Sequence, residues 1–235
     1  MKKQFFIITI TLVFITIELC GCTQQNTTPQ GTTTEQLQYL KTAPTTESIQ
    51  TIMEKSETID SIYYEITGFI NSSEFGLQTA TIKIWQKKPF LKEEITGVFE
   101  GVTTTISMIQ RPEGTYIYDA SKGQYVLKTI IKPLTTPLIT ALQFLDIELI
   151  KEYLINQTFM SLETVAIDEK TATIIQYSPS LGDNLMTIKM WIWNEKGVPL
   201  KADIDMAFEG KTMKIDFVYN NYSFSEISDT TFSIS

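Results

Sequence analysis

The stretch VPLKADIDMAFEGKTMKIDFVYNNY, residues 198–222, alternates with a period of two. Val198, Leu200, Ala202, Ile204, Met206 and Phe208 oppose Lys201, Asp203 and Asp205, and Met213, Ile215, Phe217 and Tyr219 oppose Lys214 and Asp216. Successive side chains of a strand point to opposite faces, so this is a pair of strands with one apolar and one charged face. Glu209-Gly210-Lys211 between them is a tight connection. The pattern predicts an antiparallel sheet that is wet on one side.

The same period extends outward in both directions. Upstream, Ile62, Tyr64, Ile66 and Ile70 share a face, as do Ala80, Ile82 and Ile84 against Thr81, Lys83 and Trp85. Leu91, Ile95, Gly97 and Phe99 follow, then Val102, Ile106 and Met108 opposite Thr103, Thr105 and Ser107. Residues 115–119 and 124–128 flank the turn Ala120-Ser121-Lys122-Gly123 and predict a hairpin. Strands resume over 162–168, 172–178 and 186–194. Short turns between successive strands make a meander the expected topology.

Two segments depart from this period. In residues 45–56, Ile49, Ile52 and Met53 recur at helical spacing and predict a short amphipathic helix. Residues 132–159, KPLTTPLITALQFLDIELIKEYLINQTF, place Pro133 and Pro137 at helix starts and then carry Leu138, Ala141, Leu142, Leu145 and Leu149 at helical spacing. Phe144, Ile147, Tyr153 and Leu154 widen that stripe until it needs cover on several sides. The fold expected is α+β: a curved antiparallel sheet, an incomplete barrel, wrapped around a helical segment, all in one domain over residues 44–235.

The N-terminus reads differently. Lys2 and Lys3 precede an apolar run from Phe5 to Ile17, and the segment ends Leu19-Cys20-Gly21-Cys22. This is the layout of a secretory signal over residues 1–21, and its end resembles a lipobox in which Cys22 receives a lipid. A plain signal cleaved nearby and an uncleaved anchor helix are the alternatives, and all three put the rest outside the cytoplasm. Residues 22–43 are rich in Thr and Gln and read as a tether that reaches roughly 70 Å at ~3.3 Å per residue.

Composition narrows the chemistry. The chain of 235 residues has no histidine, two cysteines and a single arginine, Arg111. No imidazole acid–base, no Ser-His-Asp triad and no four-cysteine zinc site can be assembled. Both cysteines lie in the leader, so the head has no thiol. The formal charge of −8 becomes −9 when Lys2, Lys3 and Glu18 are removed with the leader, which argues against a nucleic-acid partner. Glu93 and Glu94 are adjacent on a strand and face opposite sides, while Asp203 and Asp205 share the wet face among lysines. Neither pair forms an acid–base couple in a cleft. No enzyme activity, metal or cofactor is expected, and the head is expected to be a monomer.

What remains is apolar. Ile66, Ile84, Ile106, Met108, Met190, Met206 and Phe217, with Leu142 and Leu145 of the helical segment, are candidates to line a ligand cavity, because methionine adapts to irregular apolar ligands. A filled core is the alternative for each of them. Trp85, Trp191 and Trp193 fall on the polar parity, which means either a partner surface or a face covered by another segment. Asn26, Asn71, Asn156 and Asn221 head N-glycosylation sequons.

The stretches TIKIWQKKPFLKEEITG (81–97) and ISMIQRPEGTYIYDASKGQYVLKT (106–129) resemble the lipoprotein-carrier superfamily, LolA/LolB-like, which includes mycobacterial lipid-binding lipoproteins. Lys88-Pro89, Lys92, Glu113-Gly114, Tyr116-Ile117-Tyr118-Asp119 and Gln124-Tyr125-Val126 occupy the places of that family's pattern, and the Pro-rich insert and Asp229-Thr230-Thr231-Phe232 suit its layout. The resemblance implies an incomplete barrel that binds acyl chains or lipidated partners between sheet and helices. It also implies that Lys92 or a neighbour stands where soluble carriers use an arginine to control lid opening. The function expected is that of a lipoprotein anchored at the extracytoplasmic face of the cell membrane, with a lipid or lipidated protein as cargo. The alternative is a cell-surface interaction or envelope-sensor module with the same fold and no cargo. The sequons and the Ile, Lys and Thr usage suit an archaeal envelope, where outer-membrane delivery does not transfer.

Overall fold

The computed structural model describes residues 40–41, 47–73, 76–99, 102–128, 160–178, 185–208 and 210–234. The leader, most of the tether and the insert 132–159, with Leu142, Leu145, Cys22, Asn26 and Asn156, lie outside the described residues.

Twelve strands form one sheet. They are β1 (Leu40–Lys41), β2 (Ser61–Ser72), β3 (Gly76–Lys87), β4 (Phe90–Phe99), β5 (Val102–Arg111), β6 (Gly114–Asp119), β7 (Gln124–Lys128), β8 (Met160–Ile167), β9 (Lys170–Tyr177), β10 (Leu185–Trp193), β11 (Val198–Phe208) and β12 (Lys211–Ser223). Their order is β1-β8-β9-β10-β11-β12-β2-β3-β4-β5-β6-β7, with every neighbouring pair antiparallel. The meander expectation therefore holds within two halves, β2–β7 and β8–β12. The halves are joined because β12 returns to pair with β2, from Met213 opposite Ser72 to Ser223 opposite Tyr63. Among the described residues the sheet does not close, since β1 and β7 are its ends.

Opposed residues point to the same side, so the register sorts the faces. The inner face is the one that carries Ile66. One row runs Met190, Ala202, Phe217, Gly68, Ala80 and Gly97 across β10, β11, β12, β2, β3 and β4. The next row runs Ile188, Ile204, Ile215 and Ile70. Gly68 is in this row because of Phe217: a Cβ at Gly68 would lie 3.0 Å from the ring's Cε1. The inner apolar residues from β2–β4 and β9–β12 form one buried cluster.

One helix, α1 (Ile49–Glu54), joins that cluster through Ile49, Ile52 and Met53. Six residues are too few for a helix to persist on propensity alone, so tertiary contacts hold it. Ser48 caps it by accepting the Thr51 N–H at 3.1 Å, two residues beyond Thr46. A 3-10 turn, Lys55–Thr58, follows, and Lys55 Nζ donates to the Asn194 carbonyl at 2.7 Å. The β10–β11 turn closes on Gly197 at φ +70°, where a Cβ would stand 2.3 Å from the Ile52 carbonyl oxygen, so only glycine lets the turn meet the helix.

The outer face is not uniformly wet. Val165, Ile167, Ala172, Ile174, Trp191 and Leu200 form a second cluster over β8–β11. Leu200 was expected on the inner face with Ala202. The register shift between Trp191 and Ile192 moves it to the side of Trp191. A third cluster forms where the C-terminal segment lays Ile227 and Phe232 on Ile109, with Trp85, Phe90 and Tyr125 around them.

A Gly68→Val substitution should destabilise the protein by ~1–3 kcal/mol by overpacking against Phe217, despite valine's preference for strands. Combining it with Phe217→Leu should recover part of that loss in denaturant unfolding. A Gly68→Val protein as stable as the parent would remove this contact from the argument.

Candidate functional site

Every described residue proposed to line a cavity stands on the inner face. Ile66, Ile84, Met190, Met206 and Phe217 belong to the main cluster, and Ile106 packs against it. Met108 lies on the same face, opposite Glu93, which in turn opposes Ile84. The surface is mainly apolar across β9 to β5, and Ala80 and Gly97 keep it low beside Gly68, whose space the Phe217 ring takes. Glycine within a strand marks a place where a ligand or another backbone approaches closely.

Polar groups enter this face at both ends: Ser72, Gln78 and Thr104 at the far end, and a tyrosine cluster with Glu93 toward Ser61. Tyr64 and Tyr219 stack at 6.1 Å and Tyr64 and Tyr222 at 5.4 Å, and the Tyr222 hydroxyl donates to the Pro199 carbonyl. Burial pushes the Tyr219 and Tyr222 hydroxyls well above the ordinary tyrosine range. The Tyr219 hydroxyl is buried and has no hydrogen-bond partner among the described residues. Glu93 is 5% exposed and also faces inward. Lys92 does not: it lies on the outer face, opposite Trp85, with its Nζ 5.0 Å from that ring's centroid and 3.0 Å from Glu94. Of Lys92 and its neighbours, the expected counterparts of the lid-controlling arginine, Lys92 faces outward and the residue that faces inward, Glu93, is an acid.

The parity of Glu93 was legible in the sequence, although its burial was not. Tyr219 was read only as one apolar position among four. Its phenol oxygen, two residues beyond Phe217 on the same face, is a polar group that the period of two does not register.

The tryptophans are on the outer face, as their parity predicts, but none is a bare platform. Trp191 is 2% exposed and sits in the second cluster, with Lys201 Nζ 4.5 Å and Lys189 Nζ 4.9 Å from its ring centroid. This face is covered, so Trp191 is a core residue rather than a partner contact. Trp85 and Trp193 are half-buried, Trp85 against Tyr63 at 5.1 Å and Trp193 against Phe224 at 6.0 Å. Tyr116 and Tyr118 also belong to the outer face, away from the inner apolar surface.

Charges on the outer face are mostly paired locally. Lys201 bonds Asp203 at 2.8 Å and Lys214 bonds Asp205 at 3.1 Å. Asp203 and Asp216 are directly opposed, and partial covering of its carboxyl followed by the Asp203 charge raises Asp216 above the ordinary aspartate range. Glu65 is lowered, chiefly because it accepts the Tyr63 hydroxyl, and Tyr63 is pushed up to about 12 by burial and by that bond.

A cleft of about 810 Å³ opens near the end of α1, lined by Lys55, Asp60, Lys87, Lys196, Phe224 and Glu226 among others. Its lysines are satisfied: Lys55 by Glu47 at 2.7 Å, Lys87 by Asp229 at 2.7 Å and Lys196 by Glu195 at 3.0 Å. It is a wet, mixed-charge surface and not the apolar site. Among the described residues no Cys, Asp or Glu side chains are grouped to hold a metal, and no helix is long and apolar enough to cross a membrane.

Trp191→Ala should lower unfolding free energy by ~3–5 kcal/mol, the cost of emptying a buried tryptophan site. An unchanged denaturation midpoint would return Trp191 to the surface.

No family model matches the chain and no curated protein matches it. Solved structures are similar to it. A LolA superfamily protein from Nitrosomonas europaea is 11% identical, with 80% of this chain and 98% of that chain covered and a TM-score of 0.39. The Mycobacterium tuberculosis lipoprotein LppX is 10% identical, with 74% of this chain and 94% of that chain covered and a TM-score of 0.39. An uncharacterised conserved protein from Thermus thermophilus has a TM-score of 0.48 at 10% identity, with 79% and 93% covered. The LolA superfamily, to which residues 81–129 bear a resemblance, is thus represented among the structures similar to this chain.

Proposed function

We propose that this is an envelope lipoprotein whose head, residues 44–235, accommodates acyl chains of a lipid or a lipidated protein on the inner face of its sheet. The observation that carries this reading is that face itself. It is mainly apolar from β9 to β5 in a sheet that does not close among the described residues, and Ala80 and Gly97 keep it low beside Gly68, whose space the Phe217 ring takes. The rows Met190–Ala202–Phe217–Gly68 and Ile188–Ile204–Ile215–Ile70 suit a hydrocarbon tail. The unpartnered Tyr219 hydroxyl, one row nearer the tyrosine end, suits the carbonyl at which such a tail begins. Leu142 and Leu145 of the insert 132–159 are proposed as further contacts for the acyl chain. Residues 1–21 are the export signal, Cys22 carries the lipid, and residues 22–43 hold the head at the extracytoplasmic face of the cell membrane.

The reading is tested with delipidated head and a fluorescent acyl probe. Saturable uptake, displaced by a fatty acid ester, is expected. Tyr219→Phe removes a hydroxyl that has no partner among the described residues, so it should leave the empty head equally stable or more stable by ~1 kcal/mol, while weakening ester binding several-fold. A head that takes up no probe would sink the proposal.

The anchor is tested separately. Cys22→Ser should move the head from the membrane fraction to the soluble fraction. Continued retention would refute Cys22 as the attachment point.

A further inference from the structure

The outer face carries a small apolar patch that the acyl-binding reading does not use. Phe69 is 41% exposed and Leu77 is 70% exposed, near the end of the sheet where β2 turns into β3. Around them the same face carries Thr67, Thr79 and Thr81, with Asp216 and Lys214 on β12. Asn71 stands between the two apolar residues. It is exposed, it follows Phe69 by two residues on the same face of β2, and it is directly opposite Leu77 on β3. Strand geometry puts Phe69 about 6.6 Å away along the chain. Leu77 is about 5 Å away across the ladder. An exposed apolar pair on an otherwise polar sheet face is a surface that something covers.

Asn71-Ser72-Ser73 is an N-glycosylation sequon. We propose that Asn71 bears an N-linked glycan whose first sugar rests on Phe69 and Leu77. A pyranose has an apolar C–H face and a rim of hydroxyls, so it can shield both side chains and return a polar surface to water. Transfer forms the bond between Asn71 Nδ2 and the sugar's C1. It breaks the C1–O bond to the phosphate of a polyprenyl-phosphate sugar donor, and the amide proton leaves with the released phosphate. The donor is used outside the cytoplasm, so the modification rests on the export proposed above.

The structure separates Asn71 from the other described sequon. Asn221 has φ +54° and lies at the register shift between Asn220 and Ser223. Its Nδ2 donates to Glu65 Oε2 at 3.0 Å, and Glu65 also accepts the Tyr63 hydroxyl. The middle residue of that sequon, Tyr222, is tied to Pro199. A sugar on Asn221 would displace this network. Asn71 and Ser73 are both exposed at the entry to a hairpin, and Ser73 is held to β12 through its backbone N–H to the Thr212 carbonyl at 3.1 Å.

The test is peptide mapping and intact mass of the protein purified from its organism of origin, with protease treatment of spheroplasts in parallel. A saccharide mass on the peptide containing Asn71, with Asn221 bare, is the expected result. Asn71→Gln should remove that mass, raise binding of a hydrophobic dye and lower the thermal midpoint by about 2–4 °C. Adding Phe69→Thr and Leu77→Thr should cancel the gain in dye binding. A head that protease reaches with Asn71 bare overturns the proposal and leaves export standing. A head that protease cannot reach overturns export, and the glycan with it. A glycan on Asn221 with Asn71 bare overturns the assignment of the site.

Discussion

The ladder between β12 and β2 is the constraint on which the rest depends. Without it the chain is two separate meanders, each with a long edge and an unpaired apolar face. It joins residues far apart in sequence: Asn221 and Glu65, bonded across it, are separated by 156 positions. Such pairing costs loop-closure entropy before any contact offsets it, which makes it a late and slow event in folding. Its register also decides function. A slip of one residue would carry Phe217 to the charged face and bring Asp216 against Gly68. The Phe217 ring over Gly68 favours one register, because no bulkier residue at 68 accepts it at that distance.

From that ladder outward, the two faces solve different problems. The inner face buries isoleucine and methionine in aligned rows and admits polar atoms near Tyr64, Tyr219 and Glu93 at one end and at Ser72, Gln78 and Thr104 toward the other. The outer face must stay soluble, yet two aromatic-rich places on it are covered. Lysines cover Trp191 with their stems and set their charges over its ring, and the C-terminal segment covers Ile109. Direct opposition of Asp203 and Asp216 is a local cost that the sheet carries, moderated by Lys201 beside Asp203.

Strand positions and faces were legible because a half-buried sheet writes a period of two into its sequence. Residues 198–222 give both strands and their turn directly. The exception, Leu200, is instructive: one bulge after Trp191 reverses its face, and a bulge leaves no mark in hydropathy. The pairing of β12 with β2 was not legible either, since alternation says which face a strand buries and not which strand lies beside it. Burial of Trp191 depended on β8, β9 and β11 converging on it, a tertiary fact. Polar atoms inside the inner face were hidden by treating tyrosine as simply apolar. The strand residues proposed to line a cavity lie on one face because parity alone is enough to group them.

An apolar face with a buried, unpartnered hydroxyl is a compromise that a purely structural core has no reason to keep. Replacing Tyr219 by phenylalanine would fill the same space and remove a desolvated oxygen, so stability alone favours the replacement. Gly97 presses the same way, since glycine in a strand loses more entropy on folding than any residue with a side chain. Hydroxyl and glycine lie within adjacent rows of one face, at the boundary between its tyrosine end and its hydrocarbon-like rows. Stability is relinquished on the inner face at Tyr219 and Gly97, as it is on the outer face where Asp203 opposes Asp216.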